Sequence, residues 1–426
     1  MIPFQPCVSD GRRHRRLAAV VALLLLAALT VHDTPEASAL QPQAAARWVT
    51  AWGSSMQGLG QTAITNATVR LIARVTIPGD AVRIRLANTF GTAPLVIGKA
   101  YVGERTQGAA VASGTNHQLS FSRSASVTIP AGGSVVSDPV TMPVRGRQDL
   151  AVSLYIPEAD VKPTQHGLAF TTSYLTANGA GDLTADEKRQ SFTNSTTAMF
   201  WLKAIDVLSS SSPGAIVTFG DSITDGNCST VDANNRWEDW LSVRLELDAA
   251  GRSASPAYKA VVNEGISGNT IGREHIQPPP DSPPGLERLD RDVFAHVGVT
   301  DVVVFMATND IRRSASAAQV MAGTEELVKR IKARGIRVVG ATIIPRHNST
   351  ASNSPWDSAK TRIRNEVNEW MRTRAPFDGI IDFDKVVRDP SNADVLFPAF
   401  NCDDIHPTPA GYYEMGKAIP LSLFSK

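Results

Sequence analysis

Four short stretches carry residue types that can do chemistry together. The first is Thr218-Phe-Gly-Asp-Ser-Ile-Thr-Asp-Gly226, where a β-branched, apolar run ends on Gly220, Asp221 and Ser222. The others are Asn263 with Ser267-Gly268-Asn269-Thr270, then Thr308-Asn309-Asp310, and Asp403-Asp404-Ile405-His406-Pro407. A serine hydroxyl is a poor nucleophile until a base takes its proton. An imidazole can be that base, and a carboxylate fixes its tautomer and steadies its charged form. Of the 8 histidines, only His406 has an acid three residues before it, and on a tight turn that spacing brings Asp403 within reach. A developing oxyanion needs fixed donors. Gly268 offers a backbone N–H with no Cβ in the way, Asn309 a side-chain amide, and Ser222 its own N–H.

Each of these residues also has a plainer use. Ser222 can cap the helix that follows the strand, Asn309 can be a turn residue, and His406 a surface histidine. Those uses would have to coincide at one face of the molecule, so Ser222 reads as a nucleophile. Asp221 and Asp225 read as shaping the turn and the helix start. His275 and His347 receive no role. Trp237 and Trp240 read as core.

The stretches fall where strands should end. After residue 214 the pattern alternates strands and helices. Strands are expected at Ala215–Phe219, Ala260–Asn263, Val302–Met306, Arg337–Ile344 and Gly379–Phe383. Helices are expected at Arg236–Leu247, Ala317–Ala333, Ala359–Arg374 and Gly411–Leu423. This predicts a parallel sheet with helices on both faces, whose ligands sit beyond the carboxyl ends of the strands. Residues 47–207 look all-β, with short alternating runs such as Val69–Ile77 and Val82–Leu86 separated by the turn Pro78-Gly79-Asp80. Many short strands with frequent turns predict a sandwich or jelly roll. Residues 208–214, with Ser209-Ser-Ser-Ser-Pro-Gly214, read as a linker before a second domain at 215–426.

Composition narrows the partners. The chain has 426 residues, 42% hydrophobic and 19% charged, a normal globular balance. Formal net charge is +1, and no basic block follows the N-terminus, so nucleic acid is not an expected partner. Residues 1–39 read as a signal peptide. Arg12–Arg16 is basic, Leu17–Leu29 is apolar but too short to span a bilayer, and Ala37-Ser-Ala39 offers a cleavage site. Secretion without stable membrane insertion follows, by the general or the twin-arginine route. The scattered histidines and few cysteines show no metal-ligand spacing, so no metal and no cofactor is expected.

The four stretches together resemble the SGNH (GDSL) hydrolase family, in its order, over residues 215–426. Arg83-Ile-Arg-Leu-Ala-Asn88 and Ser137-Asp-Pro-Val140 extend the resemblance to secreted two-domain members with an N-terminal β domain. The resemblance implies a flavodoxin-like three-layer sandwich behind a β-sandwich or jelly-roll-like domain. It implies Ser222 as nucleophile, His406 as base and Asp403 as its orienter, with Ser222, Gly268 and Asn309 forming the oxyanion hole. Two positions depart from the family. Ala307 stands where the third block usually begins with Gly, so a methyl can narrow the pocket. Asp404 stands where Gly is frequent, and can compete for His406.

If Ser222 meets His406, Cys228 and Cys402 come together, and a Cys228–Cys402 disulfide is expected. The expected function is a secreted serine esterase acting on a small ester or acylated carbohydrate through an acyl-enzyme. Two alternatives stay open. One is a carbohydrate-binding protein that uses Trp48, Trp52 or Trp201 and has an inactive hydrolase half. The other is an acyltransferase using the same site.

Overall fold

The computed structural model describes residues 45–425 apart from 254–256, 275 and 279. The expected signal peptide and His275 lie outside the described residues. The N-terminal half contains seven main strands, β1 (Arg47–Gly53), β2 (Ala67–Val75), β3 (Gly79–Ala87), β4 (Lys99–Glu104), β5 (Val140–Val144), β6 (Gln148–Ile156) and β7 (Leu202–Ser209). One antiparallel sheet runs β1-β7-β3-β5, and a second is built on β2-β6-β4. Their apolar residues, among them Val49, Ile84 and Ile205 of the first and Val69, Leu71 and Val152 of the second, share one core. The turn after Val75 therefore carries the chain from one sheet to the other instead of closing a hairpin.

Two of these seven main strands were not foreseen. β1 and β7 pair from Arg47↔Ser209 to Gly53↔Ala204. Both are buried through most of their length, so they lack the alternation that marks a half-exposed strand. The apolar stretch Leu95–Val102 is divided at Gly98 between a short strand, Leu95–Ile97, and β4, which lie in different sheets.

The C-terminal half holds five parallel strands, β8 (Ala215–Gly220), β9 (Ala260–Gly265), β10 (Val299–Phe305), β11 (Arg337–Ala341) and β12 (Gly379–Ile381), in the order β9-β8-β10-β11-β12. Its main helices are α1 (Ser222–Asp225), α2 (Trp237–Arg252), α3 (Gly285–Leu289), α4 (Thr308–Arg312), α5 (Ala317–Lys332), α6 (Ser358–Thr373) and α7 (Pro409–Ala418). Every residue of β8 is buried, as a central strand covered on both faces requires. The chain steps one way from β8 to β9 and the other way from β10 to β12. Right-handed crossovers then put α2 on one face and α5 with α6 on the other. This is the flavodoxin-like sandwich that was expected, with its switch point between β8 and β10.

The described residues form one compact unit. β9 is the edge of the parallel sheet, and the N-terminal half covers it. Val261 N–H donates to Thr76 Oγ1 at 3.1 Å, and Thr50 N–H reaches Val297 O at 2.9 Å. Beneath these contacts lies a buried charge cluster. Glu264, with no exposed surface, takes Lys203 Nζ at 2.6 Å, Ser55 Oγ at 2.5 Å and His296 Nε2 at 2.6 Å. Asp292 takes Lys203 Nζ at 3.0 Å and Arg288 Nη1 at 3.2 Å. Among the described residues no helix is long and apolar enough to cross a membrane.

Lys203→Met leaves Glu264 and Asp292 buried without this cation. A loss of about 3–5 kcal/mol is expected in denaturant unfolding, the cost of breaking a buried pair from one side. A loss below about 1 kcal/mol would show that the cluster does not hold the halves together.

Candidate active site

β8 delivers Ser222 to the switch point. Asp221 is the N-cap of α1, and its carboxylate accepts from Ile223 N–H at 3.0 Å. Capping is thus done by Asp221, and the Ser222 hydroxyl is left to face His406, with Oγ 2.8 Å from Nε2. His406 Nδ1 lies 2.8 Å and 3.0 Å from the two carboxylate oxygens of Asp403. Asp403 Oδ1 also accepts the His406 backbone N–H at 2.8 Å, so one carboxylate shapes the turn and orients the ring. Burial pushes the Asp403 carboxyl up, but hydrogen bonds and charge from His406 outweigh it and hold it down at about 2.

The other donor candidates lie on the segments that follow β9 and β10. Gly268 sits at φ 75°, a left-handed conformation that favours glycine, and a Cβ built there would meet open space. Asn309 is buried at the start of α4, one hydrogen bond from its amide going to Asn269 O at 3.1 Å. As the first residue of α1, Ser222 has an N–H with no partner inside the helix. The end of β9 packs directly on the nucleophile turn. A Cβ on Gly265 would lie 2.2 Å from Asp225 N, so no larger residue fits.

Cys228 and Cys402 form a disulfide with Cα atoms 6.4 Å apart. It ties the segment after α1 to the Asp403–His406 turn, as expected from the meeting of Ser222 and His406. In the chain-entropy picture a bridge across a loop of this size contributes about 5 kcal/mol. A group of potential metal ligands among the described residues, Cys228, Asp403 and His406, is this same site, and its cysteine is committed to the disulfide.

The two departures from the family pattern have one physical explanation. Ala307 has φ 100° and Asp404 has φ 68°, both in the region where glycine is the easy choice. The Ala307 side chain belongs to the apolar core, and Asn309 is in place behind it. Asp404 is turned away from His406. It takes Asn401 Nδ2 at 3.0 Å and lies 3.5 Å from His347 Nδ1.

Three neighbours of the site escaped sequence reasoning. Arg288 is fully buried and donates to Gly220 O at 2.9 Å, Glu264 O at 2.8 Å and Asn269 Oδ1 at 3.1 Å, so one guanidinium joins the ends of β8 and β9. Asp225, read as a turn former, accepts from Ser267 N–H at 2.8 Å and Ser267 Oγ at 2.7 Å. His166 of the N-terminal half lies 2.9 Å from the other Asp225 oxygen. A histidine between Gln165 and Gly167 carries no local sign of such a partner.

The sequence around this site is similar to that of a known family over about half of the chain. Residues 218–413 match the GDSL-like Lipase/Acylhydrolase family. They form a GDSL-like lipase/acylhydrolase domain. Solved structures similar to the chain include a GDSL-like lipase from Bacteroides thetaiotaomicron, 18% identical, covering 49% of this chain and 87% of that one with a TM-score of 0.34. A lipolytic protein of the G-D-S-L family from Veillonella parvula is 17% identical, with coverage of 48% and 94% and a TM-score of 0.33. A carbohydrate acetylesterase from Sinorhizobium meliloti is 15% identical, with coverage of 48% and 95% and a TM-score of 0.35. No curated protein matches the chain significantly. In the GDSL-like domain the four sequence blocks meet at the ends of β8, β9 and β10 and on the turn before α7.

Two expectations follow. Burial pushes Asp221 up to about 6 and Asp310 up to about 7, against ordinary values of 3.8. The folded protein keeps these protons where the unfolded chain has lost them, so their contribution to stability falls as pH rises from about 4 to about 7. Unfolding free energies measured across this range should decline, and Asp310→Asn should flatten the upper part of the slope; an unchanged slope in the variant would contradict the assignment. Ala307→Gly relieves a left-handed alanine and should raise unfolding free energy by about 1 kcal/mol.

Proposed function

We propose that the protein is a secreted serine esterase that hydrolyses carboxylic esters, with short-acyl or sugar esters as its substrates. The observation that carries this is the unbroken contact from Asp403 through His406 to Ser222, with distances of 2.8 Å at both steps. Ser222 Oγ attacks the ester carbonyl while His406 Nε2 takes its proton. The Asp403 carboxylate stabilises the imidazolium that forms. Ser222 N–H, Gly268 N–H and the Asn309 amide hold the tetrahedral oxyanion. His406 returns its proton to the leaving alcohol, and an acyl-Ser222 ester remains. Water, deprotonated by His406, then attacks that ester and releases the acid.

Export is supported by the Arg12–Arg16, Leu17–Leu29 and Ala37-Ser-Ala39 pattern and by the disulfide, a bond at home in oxidising compartments. Of the aromatic residues considered for a glycan-binding role, Trp201 is fully buried and Trp48 lies against the Arg83 guanidinium, 4.5 Å from the ring centre, while half-buried Trp52 lines a partly open pocket of about 240 Å³.

Ser222→Ala should lower p-nitrophenyl acetate turnover by about 10⁴-fold or more. Asn309→Ala should cost about 10²–10³-fold, mostly in kcat. A Ser222→Ala protein with a tenth of the original rate would remove the proposal. A panel of acetyl, butyryl and longer esters with acetylated polysaccharides sets the acyl and alcohol preference. Product analysis with an added alcohol separates hydrolysis from acyl transfer.

A further inference from the structure

His166 is buried in the N-terminal half, and the environment of its ring states its charge. Nδ1 lies 2.7 Å from Ser55 O, and Nε2 lies 2.9 Å from Asp225 Oδ1 and 3.1 Å from Leu168 O. All three partners are acceptors without a proton to give. A neutral imidazole has one N–H and would set a bare nitrogen lone pair against an oxygen. Both nitrogens therefore donate, and the ring is an imidazolium paired with the Asp225 carboxylate. Burial alone would lower the pKa of this histidine, but the charge and hydrogen bond of Asp225 outweigh it and raise it.

The second Asp225 oxygen is spent on the loop that carries the oxyanion donor. It accepts from both the N–H and the hydroxyl of Ser267, and that hydroxyl also reaches Asn227 Oδ1 at 2.8 Å. Ser267 immediately precedes Gly268. Asp225 itself is the last residue of the four-residue helix that begins at Ser222. One carboxylate thus spans the nucleophile turn and the donor loop, and its remaining oxygen is pinned from the N-terminal half.

We infer that His166 is a positioning residue for the active site, acting through Asp225 and Ser267 to set the Gly268 N–H relative to Ser222. The inference rests on the esterase proposal for its kinetic readout. The β half then contributes to turnover as well as to stability. The effect should appear in kcat, because a displaced oxyanion donor matters most when charge develops on the oxygen.

A pair of substitutions separates positioning from space filling. His166→Gln places an amide N–H near the Nε2 position and keeps a donor for Asp225. His166→Asn places one near Nδ1, serves Ser55 O, and leaves Asp225 unsupported. Expected values for His166→Gln are a kcat within about threefold of the unmodified protein, and for His166→Asn a fall of about 10- to 100-fold, below the loss from deleting an oxyanion donor outright. KM should stay within about threefold in both. Equal kcat values for the two variants, or an unimpaired His166→Asn, would overturn the inference.

Two measurements need no substrate and stay informative if no ester is turned over. Amide hydrogen exchange over residues 265–269 should speed up in His166→Asn and not in His166→Gln, with β8 unchanged in both. In the unmodified protein, nitrogen NMR at pH 7 should show His166 protonated on both ring nitrogens. A singly protonated ring would refute the ion pair even if neither variant folded.

Discussion

Glu264 is a carboxylate with no contact with water, set at the end of an edge strand, and the molecule is built around keeping it paired. Lys203 and Arg288 bring two positive charges into the same buried space as Glu264 and Asp292, and the part-exposed Arg291 reaches Asp292 as well. An unpaired charge at such depth costs several kcal/mol. The pairing partners come from both halves of the chain, Ser55 and Lys203 from one and Glu264, Arg288, Asp292 and His296 from the other. Neither half can bury its share of this cluster alone. The same constraint explains why β9 can be an edge strand without offering an open edge, since the surface that neutralises Glu264 also caps the free N–H of Val261.

The cluster reaches the catalytic loops through Arg288, whose guanidinium touches the last carbonyl groups of β8 and β9 and the side chain of Asn269. Beyond those strand ends, every segment that carries a functional group passes through a left-handed residue. The nucleophile turn closes on Gly226 at φ 107°, the donor loop has Gly268 at 75°, α4 starts from Ala307 at 100°, and the histidine turn holds Asp404 at 68°. A strand that ran on smoothly would carry these side chains past the switch point. The reversals aim them back at it, and at Ala307 and Asp404 the conformation is adopted by residues that disfavour it. Such strain persists only where the surroundings leave no alternative, here a buried core on one side and the disulfide on the other.

Much of this was legible in the chain. Chemistry on loops leaves local marks, and a serine, an asparagine and an aspartate three residues before a histidine stand out against their neighbours. The alternation of strands and helices after residue 214 was visible for the same reason, because burial of one face imposes a period. The cysteine pair followed once Ser222 and His406 were placed together. What stayed hidden were pairings between distant segments. Lys203 sits in an eight-residue strand that also carries Asp206, Arg288 in a five-residue helix, and His166 in a three-residue strand. Each meets its partner only after folding, so no spacing within the sequence announces it. The bridge made by Asp225 stayed hidden for a related reason. Its role as a bridge depends on Ser267 and His166, residues it meets only in space.

The β half and the parallel-sheet half meet over a surface unlike that of a flexible appendage. A flexible appendage would meet its neighbour through exposed, water-screened groups. Here the shared surface holds fully buried ions, backbone hydrogen bonds to the sheet edge, and one apolar core that continues from Val49 and Leu71 into Val217 and Val302. A surface of this kind does not open at modest cost, because opening exposes the core and strips charges of their partners at once. The geometry of the nucleophile turn is therefore set partly by residues encoded before position 210. Variation in the β half that preserves its fold but moves Ser55 or His166 would be felt at Gly268, about a hundred residues or more downstream in sequence yet only two hydrogen bonds beyond the His166 ring.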